Sequence, residues 1–388
     1  MRTDKGAGFQ RELNVLSLKS SVFLLGPRMT GKTTLLESLT AHHRVDLLDL
    51  EAETRYRTQP EILWEELNKL QPNSTVIIDE IQKIPELLNT VQRGIDKLKL
   101  RFILSGSSAR KLRRSGANLL GGRAIDLRIF PLTLQEISGR LGLKEVLRWG
   151  SLPRIATLLE TNDVAEVVAI LRTYQSLYIQ QEIQIEALVR NLAAFQRFLQ
   201  IAAACHGQMI EYSTIARDCG VSAPTVKEYF QILEDSLVAN LLWPYDRSER
   251  KKARPKFYFF DNGVVRAIQG RLTAEPSPEE LGHLFEGWFV QEARRILHYQ
   301  SKEHELALWR KDRHEIDLLF TRSGKPVLAM ELKSGQHIRK EPSEDAFKAV
   351  FPTVPLVIVS LKDRHNRKTE EGREILTVSS ALEMIKAL

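Results

Sequence analysis

The stretch GPRMTGKTT, Gly26–Thr34, limits the possible fold more than any other part of this 388-residue sequence. It follows a short apolar run, Val22–Leu25, of the kind that forms a buried parallel strand. Its glycines, lysine and threonine have the P-loop spacing G-x4-G-K-T. Glycines let backbone N–H groups turn toward phosphate oxygens, and the amino end of the next helix faces the same group. The stretch predicts a strand, a phosphate-binding loop and a helix, and therefore an α/β domain.

The same stretch supplies candidate ligands for ATP and Mg²⁺, the two cofactors we expect. Lysine reaches the β and γ phosphates in such loops, and the hydroxyl of the next residue coordinates Mg²⁺, which assigns these roles to Lys32 and Thr33. The residues predicted to bind the nucleotide are Gly26, Pro27, Arg28, Met29, Thr30, Gly31, Lys32, Thr33, Thr34 and, from the next strand, Asp79.

Two further apolar runs end in polar residues that suit phosphate chemistry. STVIIDE predicts a strand ending at Asp79 and Glu80. Asp79 would hold Mg²⁺ through water, and Glu80 would polarise the attacking water as a general base. RFILSGSS predicts another strand, and Ser107 at its end would help to position that water.

This arrangement resembles the AAA+ ATPases and, in detail, the Holliday-junction branch-migration motors and clamp loaders. The resemblance implies that Ser107 is sensor 1, that Arg123 in LLGGRAIDLRIFPLT is the arginine finger, and that Arg154 in GSLPRIA is sensor 2. Gly122 stands where a serine is usual, and GSLPRIA is one residue longer than the motor pattern. An arginine finger acts on a neighbouring subunit, so a homo-oligomer is implied, of which a ring is one form. The alternative for Arg123 and Arg154 is a local ion pair with a carboxylate.

Nearly the whole chain also resembles a prokaryotic group of AAA-type ATPases with a C-terminal restriction-endonuclease-like domain. The expected fold class is α/β, with an AAA+ parallel sheet, a helical lid, a winged helix and a C-terminal α/β domain. Helical spacing of apolar residues in AEVVAILRTYQSLYIQQEI indicates the lid, and the proline-containing TAEPSPEE is the expected linker. The predicted domains are 1–130, 131–204, 205–272 and 273–388.

The third predicted domain contains a helix-turn-helix pattern. In YSTIARDCGVSAPTVKEYFQILEDS, Gly220 makes the turn, and Ser222 caps the second helix. Two apolar strands follow, joined by a loop rich in lysine and arginine, which completes a winged helix. Such a helix enters a DNA groove, and a basic wing contacts phosphates. The residues predicted to contact DNA are Thr225, Lys227, Arg250, Lys251, Lys252 and Arg254. The alternative is a protein-docking module.

The last domain carries a nuclease-like pattern. LGHLFEGWFVQEARRIL predicts a helix with Glu286, and a following hairpin carries Asp317, Glu331 and Lys333 in the spacing D-x13-E-x-K. This resembles the PD-(D/E)-x-K nucleases, with Ile316 where a proline is usual. Glu286, Asp317 and Glu331 could bind Mg²⁺ through oxygen, and Lys333 could orient a water or stabilise charge. The alternative is a degenerate nuclease fold used for binding.

Composition adds weak constraints. A net charge of +7 and a pI near 9.3 favour a polyanionic partner. We find no long apolar run and no apolar leader in MRTDKGAGFQRELN, so we expect no membrane partner and a cytoplasmic protein. Cys205 and Cys219 form no C-x-x-C pair, which argues against zinc or a disulfide framework. The leading hypothesis is an ATP-driven motor on DNA, which could include branched junctions. The alternatives are a nucleotide-regulated signalling switch and a DNA-cleaving defence effector.

Overall fold

The computed structural model describes residues 8–107, 120–179, 191–245 and 254–388. The predicted α/β class is confirmed, because a parallel sheet of five strands comes first and a mixed sheet of six strands comes last. A sheet of three short strands and a set of helices lie between them in the chain. Within the described residues, no helix is long and apolar enough to cross a membrane.

The first sheet has the strand order β2-β3-β4-β1-β5. Its central strands read as unbroken apolar runs because both faces of the sheet are covered, and Val22, Ile77 and Ile103 are fully buried. Its strands are β1 Ser21–Leu25, β2 His43–Asp46, β3 Thr75–Asp79, β4 Arg101–Gly106 and β5 Ala124–Arg128. Its helices are α1 Lys32–Ser38, α2 Leu50–Thr58, α3 Glu61–Leu67 and α4 Leu87–Leu98, with a 3-10 turn at Ile81–Lys83.

The strand order decides where the predicted site residues meet. Strand β4 lies between β1 and β3, so the P-loop, the Asp79-Glu80 pair and Ser107 all follow the carboxyl ends of neighbouring strands. In β5, Ala124 is aligned with Ser21 at the start of β1. Arg123, one residue earlier, therefore lies at the opposite edge of the sheet from the P-loop of its own chain.

One apolar core runs through the helices that follow the first sheet and through the helix-turn-helix. Trp149 and Phe195 from the first group pack in the same cluster as Phe230 and Phe257 from the second. The helices of the first group are α5 Leu134–Ile137, α6 Leu143–Trp149, α7 Pro153–Glu160, α8 Val164–Thr173 and α9 Leu192–Ala204, with π-helical turns at Tyr174–Ile179. The second group has β6 Gln208–Met209, α10 Tyr212–Cys219, α11 Ala223–Asp235, β7 Ala239–Leu242, β8 Lys256–Phe259 and α12 Asn262–Ile268.

The helix-turn-helix forms as its local sequence indicates. Gly220 ends α10 with a φ of 68°, a left-handed conformation that favours glycine. Ser222 caps α11, because its hydroxyl accepts a hydrogen bond from the Thr225 amide at 3.3 Å. The three strands then pair antiparallel in the order β6-β8-β7.

The C-terminal sheet has the order β13-β14-β12-β11-β10-β9. Its elements are α13 Pro278–Tyr299, β9 His304–Lys311, β10 His314–Arg322, β11 Lys325–Lys333, α14 Pro342–Val350, β12 Leu356–Ser360, β13 Arg367–Lys368, β14 Glu374–Thr377 and α15 Val378–Ala387. Helix α13 begins inside the predicted linker. The turn between β10 and β11 is Ser323-Gly324, and both residues have the positive φ of a tight hairpin turn.

Candidate functional site

The P-loop is held in a tight turn by its own backbone. Gly26 N donates to Gly106 O at 3.3 Å, which ties the loop to β4. A Cβ on Gly26 would lie 2.4 Å from Ile129 O, so only glycine fits there. Gly31 has a φ of 89°, and Thr30 Oγ1 donates to Pro27 O at 2.8 Å. The loop therefore has the narrow, backbone-lined shape that a phosphate group requires.

Lys32 and Thr33 begin helix α1 at the end of this loop. Lys32 is buried, and its Nζ donates to Gly26 O at 2.7 Å and to Pro27 O at 3.0 Å. Thr33 Oγ1 donates to Asp79 Oδ2 at 3.0 Å. The two groups predicted to share Mg²⁺ at the P-loop are thus in direct contact, although they are far apart in sequence.

A small polar network surrounds Asp79 and Glu80. The Ser105 hydroxyl donates to Asp79 Oδ1, which also accepts from Glu80 N at 3.1 Å. Gln82 Nε2 donates to Glu80 Oε2 and, at 3.3 Å, to Ser107 Oγ. Gln82 therefore bridges the predicted general base and the predicted sensor 1.

Sequence reasoning missed Gln82 and Ser105. The signals were available but weak. Gln82 follows Glu80 by two residues, and Ser105 is a polar residue directly after the apolar run Phe102–Leu104.

A cleft of about 1140 Å³ opens over the P-loop, and we call it the P-loop cleft. Arg154, at the start of α7, lines it together with Lys32 and Glu80. The predicted sensor 2 residue therefore lies in the same cavity as the P-loop of its own chain. Other lining residues come from the segment before β1, from α1 and from α8: Phe9, Gln10, Thr34, Ser38, Glu166 and Thr173.

Arg123 does not lie in this cleft. Its Nε donates to Asp96 Oδ1 at 2.8 Å, and both side chains are partly exposed. The pair is on the far edge of the first sheet. This is the local ion pair that the sequence left open as an alternative role.

Arg11 is a second residue that the sequence did not reveal. It lines the P-loop cleft, and its guanidinium donates to Thr30 O at 2.8 Å, to Phe130 O at 2.7 Å and to Tyr299 Oη at 3.1 Å. It also pairs with Glu136 at 2.9 Å. Arg11 therefore joins the P-loop to the end of helix α13 in the C-terminal part of the chain.

The predicted DNA contacts are only partly described. Lys227 is exposed on α11 and lies 5.2 Å from the centre of the Tyr212 ring. Arg254 Nη2 donates to Glu211 Oε1 at 2.8 Å. Because Glu211 and Tyr212 are adjacent, the two cations lie near the same end of α10. Thr225 is half-buried in the first turn of α11. Arg250, Lys251 and Lys252 lie outside the described residues.

The C-terminal residues of the nuclease-like pattern come together. Asp317 lies at a bulge where β10 shifts its register against β9, and its Oδ2 accepts from Leu332 N at 3.0 Å. Its own N–H is 3.4 Å from Glu331 Oε2. Lys333 Nζ donates to Glu331 Oε1 at 2.8 Å and also to Glu341.

A lysine that the sequence analysis did not single out lies at the centre of these acids. Lys256 Nζ is 2.7 Å from Glu286 Oε1, 2.7 Å from Glu315 Oε1 and 3.0 Å from Asp317 Oδ1. Its side chain is only 7% exposed. We call Glu286, Glu315 and Asp317 the carboxylate cluster. Tyr258, on the same strand as Lys256, donates to Glu286 Oε1 at 2.6 Å.

Burial dominates the electrostatics of this region. It raises the pKa of Glu286 to about 7, with a further contribution from the Asp317 charge. It likewise raises the pKa of Glu331 to about 8, again with Asp317 contributing. Burial alone would lower the pKa of Lys256, but the nearby acids, Asp317 foremost, raise it above its ordinary value.

The two predicted Mg²⁺ sites differ in fit. At the P-loop, a hydroxyl and a carboxylate with the required chemistry meet beside a glycine cradle. In the carboxylate cluster, an ammonium lies where the acids converge, and no group of three or more His, Cys, Asp or Glu side chains in the described ranges could hold a metal ion. As arranged, the cluster does not fit a divalent ion. The prediction of Glu286, Asp317 and Glu331 as ligands had not included Lys256.

Comparison with known families divides the chain into three parts. Residues 19–138 match a family described as an AAA domain. Residues 140–275 and 281–380 match two families described as domains of unknown function, DUF8612 and DUF4143. The parallel sheet, the P-loop and the first match define the first third as a P-loop domain of the AAA type, as the resemblance implied.

Three similar bacterial proteins are described only as uncharacterized. One from Mycobacterium bovis and one from Mycobacterium tuberculosis are each 27% identical over 335 residues, covering 84% of this chain and 72% of theirs. One from Haemophilus influenzae is 23% identical over 236 residues, covering 55% of this chain and 57% of its own.

Two solved structures are distantly similar. The Aeropyrum pernix ORC1 protein, solved in complex with DNA, is 14% identical with a TM-score of 0.29, covering 66% of this chain and 87% of its own. A Vibrio cholerae protein is 11% identical with a TM-score of 0.20, covering 95% and 96%. Scores this low carry no argument about function.

Proposed function

We propose that this chain is a Mg²⁺-dependent ATPase of the AAA+ type that acts on DNA. The observation that carries the proposal is the convergence of Lys32, the Thr33–Asp79 pair, Glu80 and Arg154 around one cleft. These are the group types that bind a nucleoside triphosphate and assist attack on its γ phosphate.

The residues of the cleft fit ATP and Mg²⁺. The backbone of the P-loop and Lys32 would hold the phosphates. Thr33 and Asp79 would hold Mg²⁺, which would neutralise part of the phosphate charge. Glu80 would take a proton from the attacking water. The side-chain amide of Gln82, which donates to Glu80, would hold the carboxylate in place. Ser107, held by the same amide, would position the water. Arg154 would stabilise negative charge on the transferred phosphate.

The test of the nucleotide part is direct. Lys32→Ala should lower ATP affinity about a hundredfold or more, because phosphate charge then lacks its main cation. Lys69→Ala, at an exposed position on the same domain, is the matched control. Equal ATP affinity in Lys32→Ala and wild type would overturn the assignment of the P-loop.

We further propose that Arg123 acts on a neighbouring copy in a homo-oligomer. Its place on the far edge of the sheet keeps it from its own P-loop, while its pairing with Asp96 in an exposed position leaves it within reach of a partner. Mixing Arg123→Ala with Lys32→Ala chains should restore part of the lost ATP turnover. Asp96→Asn, which frees the guanidinium, should keep turnover. A co-assembled mixture with no recovery would contradict a role between subunits.

DNA is proposed as the partner because two exposed cations lie near one end of α10, in the part of the chain for which the sequence predicts a winged helix. The experiment is the ATPase rate against duplex, junction and single-stranded DNA at stated salt. A rate that rises with one of these supports the motor. A slow rate unaffected by any of them supports the second candidate.

The second candidate is a nucleotide-regulated signalling or defence ATPase whose C-terminal part binds without cleaving. One observation favours it: Lys256 lies among the acids that a restriction-endonuclease-like site would need for its metal. Lys333, the proposed water-orienting residue of that site, is likewise paired with Glu331 and Glu341.

A further inference from the structure

The carboxylate cluster draws its acids from two elements of the C-terminal part of the chain. Glu286 comes from helix α13, whereas Glu315 and Asp317 come from strand β10. The cation they surround, Lys256, comes from strand β8 of the helix-turn-helix unit. The contact therefore joins two units of the chain through one ammonium group.

The distances are those of a filled cation site. All three carboxylates approach Lys256 Nζ within 3.0 Å, and the lysine side chain is almost fully enclosed. Three acids gathered in a partly buried place repel one another, and that repulsion is relieved by a cation or by protonation of one of them. Lys256 supplies this cation from within the chain.

We propose that Lys256 is the resident cation of the carboxylate cluster, and that Lys256 and a divalent metal ion exclude each other there. Mg²⁺ or Mn²⁺ bound to these oxygens would lie on the order of 2 Å from them and within a few ångström of the ammonium. The repulsion between the two cations in a low-dielectric place would prevent both from being bound. The cluster is then an ionic lock between two units, and it becomes a metal site only when Lys256 is withdrawn.

This proposal does not depend on ATP hydrolysis. It concerns residues that lie outside the P-loop cleft, and neither Lys256 nor the three acids line that cleft. It also gives the helix-turn-helix unit a role in the C-terminal site, because the lysine that fills the cluster comes from strand β8. Withdrawal of Lys256 would also affect helix α13, since Glu286 on that helix loses its contact with Lys256.

The test measures Mn²⁺ binding to the full chain without nucleotide, by electron paramagnetic resonance. Lys256→Met removes the charge and keeps the side-chain length. We expect it to bind Mn²⁺ at least about tenfold more tightly than wild type, because three uncompensated carboxylates then face the ion. Adding Asp317→Asn to Lys256→Met should abolish the gain, which separates this cluster from Thr33 and Asp79.

Two further variants keep the test informative. Lys256→Gln retains a hydrogen-bond donor among the acids and serves if Lys256→Met does not fold; it should show the same gain. Lys340→Met removes a lysine from an exposed ion pair with Asp345 and should bind Mn²⁺ like wild type. A second readout is the melting temperature, which Mn²⁺ should raise more in the Lys256 variants than in wild type or in the Lys256 variants that also carry Asp317→Asn.

Two results would overturn the proposal. One is Mn²⁺ binding by wild type that is as tight as in Lys256→Met and is lost in Asp317→Asn, since lysine and metal would then coexist. The other is a folded Lys256 variant that gains no Asp317-dependent binding, since the cluster would then have no affinity for a divalent ion.

Discussion

The P-loop cleft and the carboxylate cluster hold their charged groups in different ways. In the cleft, Lys32 donates to two backbone carbonyls, and Asp79 accepts from the Thr33 and Ser105 hydroxyls. In the cluster, Lys256 lies against three carboxylates. A hydrogen bond between a charged group and an uncharged partner contributes about 1.5–3 kcal/mol, and a charged ligand can take the place of the uncharged partner. A buried ion pair resists exchange, because breaking it costs about 3–5 kcal/mol. One site is arranged to receive a ligand, and the other already contains its counter-ion.

The largest effect we predict compares these two lysines directly. Lys256→Met should lower the free energy of unfolding by about 3–5 kcal/mol, since it leaves buried carboxylates without a partner. Lys32→Met should lower it less, by about 2 kcal/mol, since two backbone carbonyls lose a charged donor but no buried carboxylate loses its counter-ion. Urea unfolding of both variants without nucleotide or divalent ions checks this, with Lys340→Met as the exposed control. Equal losses for the two buried lysines would remove the distinction.

The next effect concerns Glu80, the proposed general base of the P-loop cleft, which accepts a hydrogen bond from the neutral amide of Gln82. Glu80→Gln should keep ATP affinity and lower turnover about a hundredfold or more, because the general base is gone while the P-loop and Asp79 remain. Gln82→Met keeps the base and removes the amide that holds it, so a smaller loss is expected. Glu65→Gln, an exposed acid on helix α3, is the control. Turnover near the wild-type rate in Glu80→Gln would place the base elsewhere.

The two sites also differ in how far the sequence predicts them. The P-loop is contained in Gly26–Thr34, so its spacing alone identifies it, and the rule that parallel strands end at one edge brings Asp79 and Ser107 to it. Lys256 is 30 residues from Glu286 and 61 from Asp317. No local sequence pattern indicates which of the many lysines contacts acids that are so far away in the sequence. Arg11, 288 residues from Tyr299, escaped prediction for the same reason.

Glu292 on helix α13 has both an uncharged and a charged partner, so it combines features of the P-loop cleft and of the carboxylate cluster. Its carboxylate accepts from Leu134 N at 2.6 Å and lies 3.1 Å from Arg295 Nη1. Burial raises the pKa of Glu292 from 4.5 to about 7, against the lowering effect of Arg295. Because the pKa is higher in the folded chain, the protonated form favours folding. That contribution is complete below about pH 4.5 and is lost as the pH rises through about 7.

Glu292→Gln should therefore change the pH dependence of stability. Between about pH 5 and about pH 8, wild type should lose on the order of 2 kcal/mol more than this variant, which can still accept from Leu134 N but cannot ionise. The measurement is urea unfolding across that range. Parallel curves for the two proteins would show that Arg295 keeps Glu292 ionised throughout. Glu292 and Arg295 would then form a buried ion pair like those of Lys256.

The smallest effect concerns two exposed cations of the helix-turn-helix, which have neither buried carbonyls nor buried carboxylates as partners. Lys227 and Arg254 lie in solvent near one end of α10, so replacing them costs the fold little, and their proposed role is contact with DNA phosphates. Lys227→Ala should weaken DNA binding about evenly across sequences and reduce the slope of log affinity against log salt by roughly 0.9 on duplex DNA. Arg254→Ala should do less, because Arg254 must first leave Glu211. Lys69→Ala, exposed on the first domain, should leave both affinity and slope unchanged. If Lys227→Ala also leaves the slope unchanged, the DNA path does not follow this face of the helix-turn-helix.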